Sequence, residues 1–305
     1  MAGLSERLTL LAGRLRAVLA PADGGRIAEF SLALEAGEVF PLLQPLCGDP
    51  AGPRRSGCYP LLPYSNRIAR AQFDFAGETV RLAPHPLFAP EAIHGLGWRR
   101  PWRVRRAGEA SAVLELAHAP DADWPWGFTA RQMITLDAEG LQLVLEARSA
   151  DARPQPMGLG YHPYFPLQDD STLQLPATGA WEADARRLPV RHGPLPPGLD
   201  FRTPGSFPAE TIDGLLTGWS GEAVLRWPGA GIHLRLSSAP GLAVLFRPAG
   251  EQVVAIEPVT HATNALNLPS GSGPGAAMPV LQPGETLSLA MRLAPQGASP
   301  KLAAR

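Results

Sequence analysis

Lysine is almost absent from this sequence of 305 residues: Lys301 is the only one, and arginine supplies the other basic side chains. Charged residues of all kinds make up only 18% of the chain, and 27 basic residues balance 28 acidic ones to a formal net charge of −1. No block of like charge stands out, so the sequence lacks the basic patch typical of proteins that bind nucleic acid or a membrane surface. We therefore expect neither kind of partner.

Cysteine is also scarce, since Cys47 and Cys58 are the only two and neither lies in a CxxC or metal-type spacing. Two free thiols favour a reducing compartment, with a single disulfide as the less favoured alternative. The apolar runs within residues 1–21 are broken by charged side chains. They are too short for a secretory signal or a membrane span, and no later run reaches membrane length. These observations predict a cytoplasmic protein.

Helical periodicity is missing as well. The 34 prolines and 32 glycines are scattered throughout, a density that short strands joined by turns tolerate and long helices do not. Residues 132–136 and 141–147 flank the turn pair Glu139-Gly140 and predict a β-hairpin. Strands are also predicted at residues 79–82, 112–116, 232–236, 242–246, 253–256 and 286–293.

The fold prediction is therefore an all-β, mainly antiparallel protein with about two dozen short strands. A hydrophobic content of 45% is enough for a large core. We see no repeat of 20–50 residues, which disfavours a propeller or solenoid. No change of composition divides the chain, so residues 1–305 are predicted to form one domain. Residues 194–208 and 269–279 are predicted to be irregular loops.

Short polar islands interrupt this strand pattern. Each places an ionisable or polar residue beside glycine or proline, where a strand is expected to end and where sites are often built. The four clearest are Pro63-Tyr64-Ser65-Asn66-Arg67-Ile68, Ile93-His94-Gly95-Leu96-Gly97-Trp98, Gly160-Tyr161-His162-Pro163-Tyr164-Phe165 and Ile256-Glu257-Pro258-Val259-Thr260. A weaker fifth island is Ile212-Asp213-Gly214.

In this order the islands resemble the aldose 1-epimerase (galactose mutarotase) family, over most of the chain from Gly57 to Leu293. Two further stretches match the family, Phe73-x-Phe75-x-Gly77 and Leu281-x-Pro283-Gly284-Glu285. The stretches Gly57-Cys58-Tyr59-Pro60-Leu61 and Trp124-Pro125-Trp126 are more similar to the shorter bacterial members than to the galactose-specific ones.

The resemblance implies a large antiparallel β-sandwich, the galactose mutarotase-like supersandwich, with a sugar in an open cleft on one face. It implies an isomerase that interconverts the α and β anomers of an aldose without a metal or cofactor. Glu257 matches the general base and His162 the general acid, whereas Arg67, His94 and Asp213 match residues that bind the sugar. Asn66 stands where many members have glycine, and we include it among the expected binding residues. The expected partner is a small sugar, bound by a monomer or homodimer.

These residue types suit the reaction that the family resemblance implies. Ring opening requires removal of the proton on the anomeric O1 and protonation of the ring oxygen O5. A carboxylate and an imidazole can both be tuned to exchange protons near neutral pH. We expect the remaining histidines to be structural or surface groups, and we expect one of Trp98, Trp102, Trp124 and Trp126 to stack on the sugar.

Three other functions are compatible with the same residues. A carbohydrate-binding protein could use the same fold without turnover. His94, His162 and Glu257 could form a two-histidine, one-carboxylate metal triad. Asp213 and Glu257 could serve as the carboxylate pair of a glycosidase. Within the mutarotase interpretation, Arg99-Arg100 could bind the phosphate of a sugar phosphate, although a free aldose is favoured.

Overall fold

The structure, a computed structural model, describes residues 7–45 and 56–297. Cys47, one of the two predicted thiols, lies outside these residues. Within them the chain forms β-strands and short 3₁₀ helices and no α-helix. The 3₁₀ helices span Glu35–Gly37, Ala69–Ala71, Gly97–Arg99, Pro197–Leu199, Pro228–Ala230 and Ala265–Asn267.

The strands are short, as the density of turn residues predicts. The first thirteen are β1 (Leu8–Ala12), β2 (Leu15–Ala20), β3 (Arg26–Ala33), β4 (Val39–Pro41), β5 (Cys58–Leu61), β6 (Arg67–Ile68), β7 (Gln72–Phe75), β8 (Glu78–Arg81), β9 (Ala92–Ile93), β10 (Arg103–Ala107), β11 (Ser111–His118), β12 (Phe128–Asp137) and β13 (Gly140–Ser149). The rest are β14 (Gln155–Pro156), β15 (Gly160–Pro166), β16 (Thr172–Leu175), β17 (Gly179–Ala183), β18 (Pro189–Pro194), β19 (Phe201–Ser206), β20 (Ile212–Trp219), β21 (Glu222–Trp227), β22 (Ile232–Ser238), β23 (Gly241–Arg247), β24 (Val253–Val259), β25 (Val280–Leu281) and β26 (Thr286–Gly297).

Most of these strands belong to two large antiparallel sheets. Sheet A has the order β1-β2-β3-β5-β15-β24-β23-β20-β17-β18, with β4 paired to β3. Sheet B has the order β10-β11-β12-β13-β26-β22-β21-β16-β19. Three two-stranded ribbons complete the fold: β6 with β9, β7 with β8, and β14 with β25. The predicted all-β, antiparallel sandwich is confirmed.

The β12–β13 hairpin shows how sequence pattern becomes structure. Leu136 pairs with Leu141 and Asp137 with Gly140, so the two-residue loop is Ala138-Glu139, one residue earlier than the predicted turn pair. The Asp137 carboxylate accepts hydrogen bonds from the backbone N–H groups of both Glu139 and Gly140, at 2.8 and 2.9 Å. Along β13, buried residues alternate with partly exposed ones, so one face of the hairpin faces the core.

The hydrophobic core lies between the two sheets. One cluster of buried side chains contains residues from both, including Leu19 and Ile256 of sheet A and Leu143 and Leu234 of sheet B. Strand β24 is buried along its whole length, on both faces. One of its faces meets this core, and the other carries the polar residues of the candidate site.

Two local predictions need correction. Residues 194–208 are not wholly irregular, because they contain β19. This strand is at the edge of sheet B and holds Pro204, a residue that lacks the N–H a central strand needs. Two of the site islands do not mark strand ends, because His162 and Glu257 lie inside central strands of sheet A. The islands of Arg67, His94 and Asp213 do lie at the ends of β6, β9 and β20.

The N-terminal apolar residues form the β1–β2 hairpin. Cys58 is a buried free thiol whose pKa is raised by burial. None of the described residues forms a helix long and apolar enough to cross a membrane.

Candidate active site

The ladder of sheet A is interrupted at the two residues predicted to be catalytic. Strands β15 and β24 pair at Gly160 with Val259 and at Tyr164 with Ala255, and the pairing is interrupted in between. Counting inward from these pairs brings His162 opposite Glu257. Each is followed by a proline, Pro163 and Pro258, which has no N–H to donate to the ladder. The two prolines therefore explain why the hydrogen-bonded ladder is interrupted here and resumes on both sides. A strand end with turn residues would terminate the ladder instead.

His162 and Glu257 touch across this gap. His162 Nε2 lies 3.2 Å from Glu257 Oε1, and the side chains are only 4% and 2% exposed. Among the described residues, neither His162 Nδ1 nor Glu257 Oε2 has a hydrogen-bond partner. A buried polar atom without a partner is costly in a closed protein. The pair thus has acceptor capacity left for a ligand.

Burial disfavours the charged forms of both Glu257 and His162. It raises the pKa of Glu257 well above its usual value, an effect that Asp213 reinforces and Arg67 opposes. It lowers the pKa of His162 well below its usual value, and the neighbouring His94 and Arg26 act in the same direction. Both shifts favour the uncharged pair, a protonated carboxyl and a neutral imidazole, with a single proton available for transfer across the contact.

Two tyrosines hold the His162 imidazole in place. The Tyr164 ring stacks on it with centroids 4.4 Å apart, and the Tyr164 hydroxyl lies 3.3 Å from His162 Nε2. Tyr59, which pairs with His162 across β5 and β15, packs its ring 4.8 Å away. Burial raises the pKa of Tyr59, so its hydroxyl stays protonated at neutral pH. Tyr164 belongs to the same sequence island as His162, and Tyr59 belongs to the stretch 57–61. The sequence analysis assigned a role to the histidine alone.

Asn66 and His94 meet at the end of the β6–β9 ribbon. The His94 N–H donates to the Asn66 carbonyl at 2.9 Å, and the Asn66 N–H donates to His94 Nδ1 at 3.1 Å. Both residues have φ of +58°. Asparagine is among the few non-glycine residues that adopt this left-handed conformation readily. This explains how Asn66 replaces the glycine that the family resemblance implies.

The hydrogen bond to Nδ1 fixes the tautomer of His94. Nδ1 is an acceptor, so in the neutral ring Nε2 carries the hydrogen and can donate to a ligand. Burial lowers the pKa of His94 to about 3, with further lowering by Arg67 and His85, so the ring is neutral at physiological pH. The His94 ring makes an edge contact with His162, with centroids 5.3 Å apart.

Arg67 and Asp213 place opposite charges beside the pair. The Asn66 side-chain oxygen accepts hydrogen bonds from the Arg67 backbone N–H at 2.9 Å and from its guanidinium at 3.3 Å, so Asn66 orients Arg67. Asp213 lies on β20, with its carboxylate 3.7 Å from the Arg187 guanidinium. Burial raises the pKa of Asp213, and Arg67 and Arg187 oppose that shift.

All six predicted site residues line one cavity of about 560 Å³ over this face of sheet A. They are Asn66, Arg67, His94, His162, Asp213 and Glu257. The catalytic candidates come from adjacent strands of the sheet, whereas Asn66, Arg67 and His94 come from a ribbon distant in sequence. No local pattern in the sequence connects these groups.

The outer wall of the cavity was missed by the sequence analysis. His85, expected to be structural or at the surface, lines the cavity and stacks on Trp98, with ring centroids 5.6 Å apart. Leu87 and Phe88 lie beside it. Among the four tryptophans considered, Trp98 is the one that lines the cavity, whereas Trp102, Trp124 and Trp126 are buried in the core.

The other histidines are held by the fold, as predicted. His118 contacts the Trp124 carbonyl at 2.8 Å, and His192 contacts the Thr217 hydroxyl at 2.9 Å. His233 contacts Gln296 on the neighbouring strand. His261 accepts a bond from the Ser65 N–H and contacts the Ala262 carbonyl.

Neither the metal site nor the phosphate site considered from the sequence is supported by the geometry. In the described part of the chain, no three His, Cys, Asp or Glu side chains form a group that could hold a metal ion. The Arg99 and Arg100 guanidinium groups both lie within 3 Å of Asp123 carboxylate oxygens, at 2.9 and 2.6 Å. Arg100 also pairs with Asp121. Their charge is thus already compensated.

The fold and the buried His162–Glu257 pair together define a β-sandwich protein with a cavity lined by ionisable and aromatic side chains. The family model for aldose 1-epimerase matches residues 7–294, and the chain belongs to that family.

The chain is similar over most of its length to several other proteins. An uncharacterized Escherichia coli K12 protein, YphB, is 28% identical over 267 residues, which cover 84% of this chain and 89% of that protein. The crystal structure of an aldose 1-epimerase candidate from Escherichia coli K12 is similar at 26% identity with a TM-score of 0.84, covering 96% of this chain and 99% of that one. A Caenorhabditis elegans homologue of GalM/aldose epimerase shares the fold at 19% identity and a TM-score of 0.81, covering 97% and 100% of the two chains.

Proposed function

We propose that the protein is an aldose 1-epimerase that interconverts the α and β anomers of a free aldose. The observation that carries this proposal is the buried contact between His162 Nε2 and Glu257 Oε1, 3.2 Å apart in the cavity. The two oxygens that exchange protons in mutarotation, O1 and O5, are bonded to the same carbon. An acid and a base that serve both must therefore be close neighbours, as these two groups are.

In the proposed reaction, the sugar loses one proton at O1 and gains another at O5. With the single proton of the pair on His162, the Glu257 carboxylate takes the proton from O1 while His162 gives its proton to O5, the C1–O5 bond breaks, and an open-chain aldehyde results. Rotation about C1–C2 turns the other face of the aldehyde towards O5. The O5 hydroxyl then attacks C1, its proton returns to His162, and Glu257 protonates O1 of the other anomer. Positioned acid–base groups contribute roughly 10²–10⁴-fold each to such a rate.

The surrounding residues have binding roles in this proposal. Neutral His94 donates from Nε2 to a sugar hydroxyl, and Asp213 accepts from one. Arg67 donates to sugar hydroxyls, and Asn66 positions Arg67 through the two hydrogen bonds described above. An unphosphorylated sugar is proposed because Arg99 and Arg100 are already paired with carboxylates.

Polarimetry on freshly dissolved anomers tests the proposal. A panel of α- and β-aldohexoses and aldopentoses, each free and as its 6- or 5-phosphate, is followed with and without the protein. We expect faster approach to the equilibrium rotation with at least one free sugar, both in EDTA and without it. Tight sugar binding with no acceleration would make the protein a carbohydrate-binding protein instead.

A further inference from the structure

The turn between β17 and β18, residues 184–188, brings two consecutive arginines towards the cavity from the edge of sheet A. The turn is built around Asp184, whose side-chain oxygen accepts hydrogen bonds from the N–H groups of Arg186 and Leu188 at 2.8 and 2.9 Å. The Asp184 carbonyl also accepts a bond from the Arg187 N–H at 2.9 Å. Arg186 and Arg187 therefore project from a backbone of fixed shape.

Arg186 attaches this turn to the segment that follows the His85 turn. Its guanidinium donates to Glu91 Oε1 from Nε at 2.8 Å, and a second bond comes from Nη2. The Glu91 side chain is only 6% exposed and also accepts a bond from the Arg70 N–H. A buried carboxylate that bonds to both segments keeps them together, so the position of Arg187 is fixed as well.

Arg187 has a backbone conformation that arginine rarely adopts. Its φ is +63°, in the left-handed region. The position follows a tight turn in a hairpin, where this conformation is usually supplied by glycine. Arginine is strained here and glycine would not be. Residues held in such conformations are frequently found at functional sites, so the arginine at this position requires an explanation.

The contact that Arg187 makes with Asp213 supplies this explanation. Arg187 Nε lies 3.7 Å from Asp213 Oδ2, and the two side chains are 47% and 17% exposed. An ion pair between two exposed groups contributes little. Here the carboxylate is largely buried in the cavity wall, where a charged group needs a partner.

The groups that face Asp213 divide the work between them. Arg67 comes from the β6–β9 ribbon and lines the cavity, whereas Arg187 is not among the lining residues and acts from outside. The neighbouring strand β23 places the uncharged Phe246 opposite Asp213. Burial raises the pKa of Asp213, and both arginines oppose that rise. The Asp213 charge in turn raises the pKa of Glu257 on β24.

We propose that Arg187 is a positioning residue for sugar binding, which holds the Asp213 carboxylate in the orientation in which it accepts a hydrogen bond from a sugar hydroxyl. Arg187 does not touch the sugar itself. Arg67 is left free to donate to the sugar, because Arg187 supplies a second positive charge to Asp213. This inference rests on the proposed mutarotase function and adds a residue to the six predicted from the sequence.

Arg187→Gly separates this role from a structural one. Glycine suits the left-handed backbone, so the urea midpoint of unfolding should be unchanged or higher. KM for a sugar that the wild-type protein turns over should nevertheless rise by about 5–10-fold, because a hydrogen bond to a charged acceptor is weakened. We expect kcat to stay within about threefold, since this bond is made in the ground state and the transition state alike. Arg187→Lys keeps the charge and should recover most of the affinity.

The pH dependence of KM provides a second measurement. Loss of Arg187 should raise the pKa of Asp213, since one of the two opposing charges is gone. The rise of KM on acidification should therefore begin at a higher pH in Arg187→Gly than in the wild type. Arg191→Ala is the matched control, because it removes an arginine of the same hairpin that pairs with the exposed Glu182. It should leave KM and its pH profile unchanged.

The outcomes distinguish the two proposals. A folded Arg187→Gly variant that turns over sugar with the wild-type KM and pH profile would overturn the positioning role and leave the mutarotase function in place. Equal rises in KM for Arg187→Gly and Arg191→Ala would also overturn it, because net charge alone would then account for the effect. If no sugar is turned over, the mutarotase function fails, and calorimetry of sugar binding decides on Arg187. Weaker binding by Arg187→Gly supports its role, whereas equal binding, or no binding by the wild type, contradicts it.

Discussion

At the residue scale, the roles of His162 and Arg67 are distinguishable by kinetics. His162 is proposed to protonate O5 as the ring opens, so His162→Asn should lower kcat by 10²-fold or more and leave KM within about threefold. Arg67 is proposed to hold groups that change little during ring opening. Arg67→Ala should therefore raise KM about tenfold or more with a smaller effect on kcat. Steady-state polarimetry on both variants measures the difference.

Circular dichroism on each variant controls for folding in this comparison. A His162→Asn variant with a raised KM and an intact kcat would make His162 a binding residue. His94 would then be a poor replacement as the acid, because its Nδ1 already accepts a backbone hydrogen bond and its Nε2 hydrogen is assigned to a sugar hydroxyl.

Single residues also show most clearly how much of the candidate site could be predicted from the sequence. Glu257 and His162 stand beside prolines in distinctive islands, and the resemblance to the aldose 1-epimerase family selects them. His85 and Phe88 lie in the same ordinary turn, so no local sequence pattern distinguishes them from surface residues. Their position depends on Glu91 bonding to Arg186, a contact between residues 95 positions apart. Contacts of that range are not visible in a single sequence.

At the element scale, the turn after β9 positions His94. Gly95 has φ of +63°, and a Cβ on it would lie 2.2 Å from the Leu62 carbonyl oxygen. Gly95→Ala should therefore force the backbone apart beside His94, with a loss of roughly 2–4 kcal/mol in the free energy of unfolding and a raised KM. Urea unfolding and polarimetry measure the two effects.

Gly77 provides a matched control for this substitution. Its φ is +84°, but a Cβ there has nothing within 4 Å. Gly77→Ala should cost only the conformational strain, about 1 kcal/mol. Equal destabilisation by the two substitutions would show that the contact with Leu62 is not what requires glycine at position 95.

Strands were more predictable than their pairing. Alternation identified β13 and β22, and the hairpin of β12 with β13 followed from its turn. The pairing of β15 with β24 was not predictable, because 86 residues separate Pro166 from Val253 and the intervening strands form parts of both sheets. The interior prolines of β15 and β24 also resemble strand ends in sequence, since only the tertiary structure shows that the ladder continues beyond them.

At the scale of the whole molecule, buried histidines make stability depend on pH. Burial lowers the pKa of His94 to about 3 and that of His261 to about 4, from 6.5, and it also lowers the pKa of His162 well below its usual value. Below pH 6.5 the unfolded chain binds protons that the folded chain does not. The free energy of unfolding should therefore fall as the pH drops from 6.5 towards 4, by up to about 1.4 kcal/mol per pH unit for each histidine.

The raised pKa values of two buried carboxyl groups have the opposite effect on the pH dependence of stability. Glu257 and Asp213 stay protonated in the folded chain at a pH where they ionise in the unfolded chain. Above about pH 4 they therefore increase the free energy of unfolding as the pH falls, which offsets part of the decrease caused by the histidines. His261→Gln isolates one histidine outside the cavity. Urea unfolding across this range should show a slope shallower by about 1.4 kcal/mol per pH unit in the variant. An unchanged slope would mean that His261 titrates equally in both states.

The central claim, that the His162–Glu257 contact performs acid–base mutarotation, is tested most directly by Glu257→Gln. The amide has nearly the same shape as the carboxylate, but it cannot accept the O1 proton. With the sugar on which the wild-type protein is active, polarimetry should show a loss of at least 10²-fold in kcat, with the free energy of unfolding maintained or increased because a buried ionisable group has been removed. A folded Glu257→Gln variant with a kcat near that of the wild type would contradict the account.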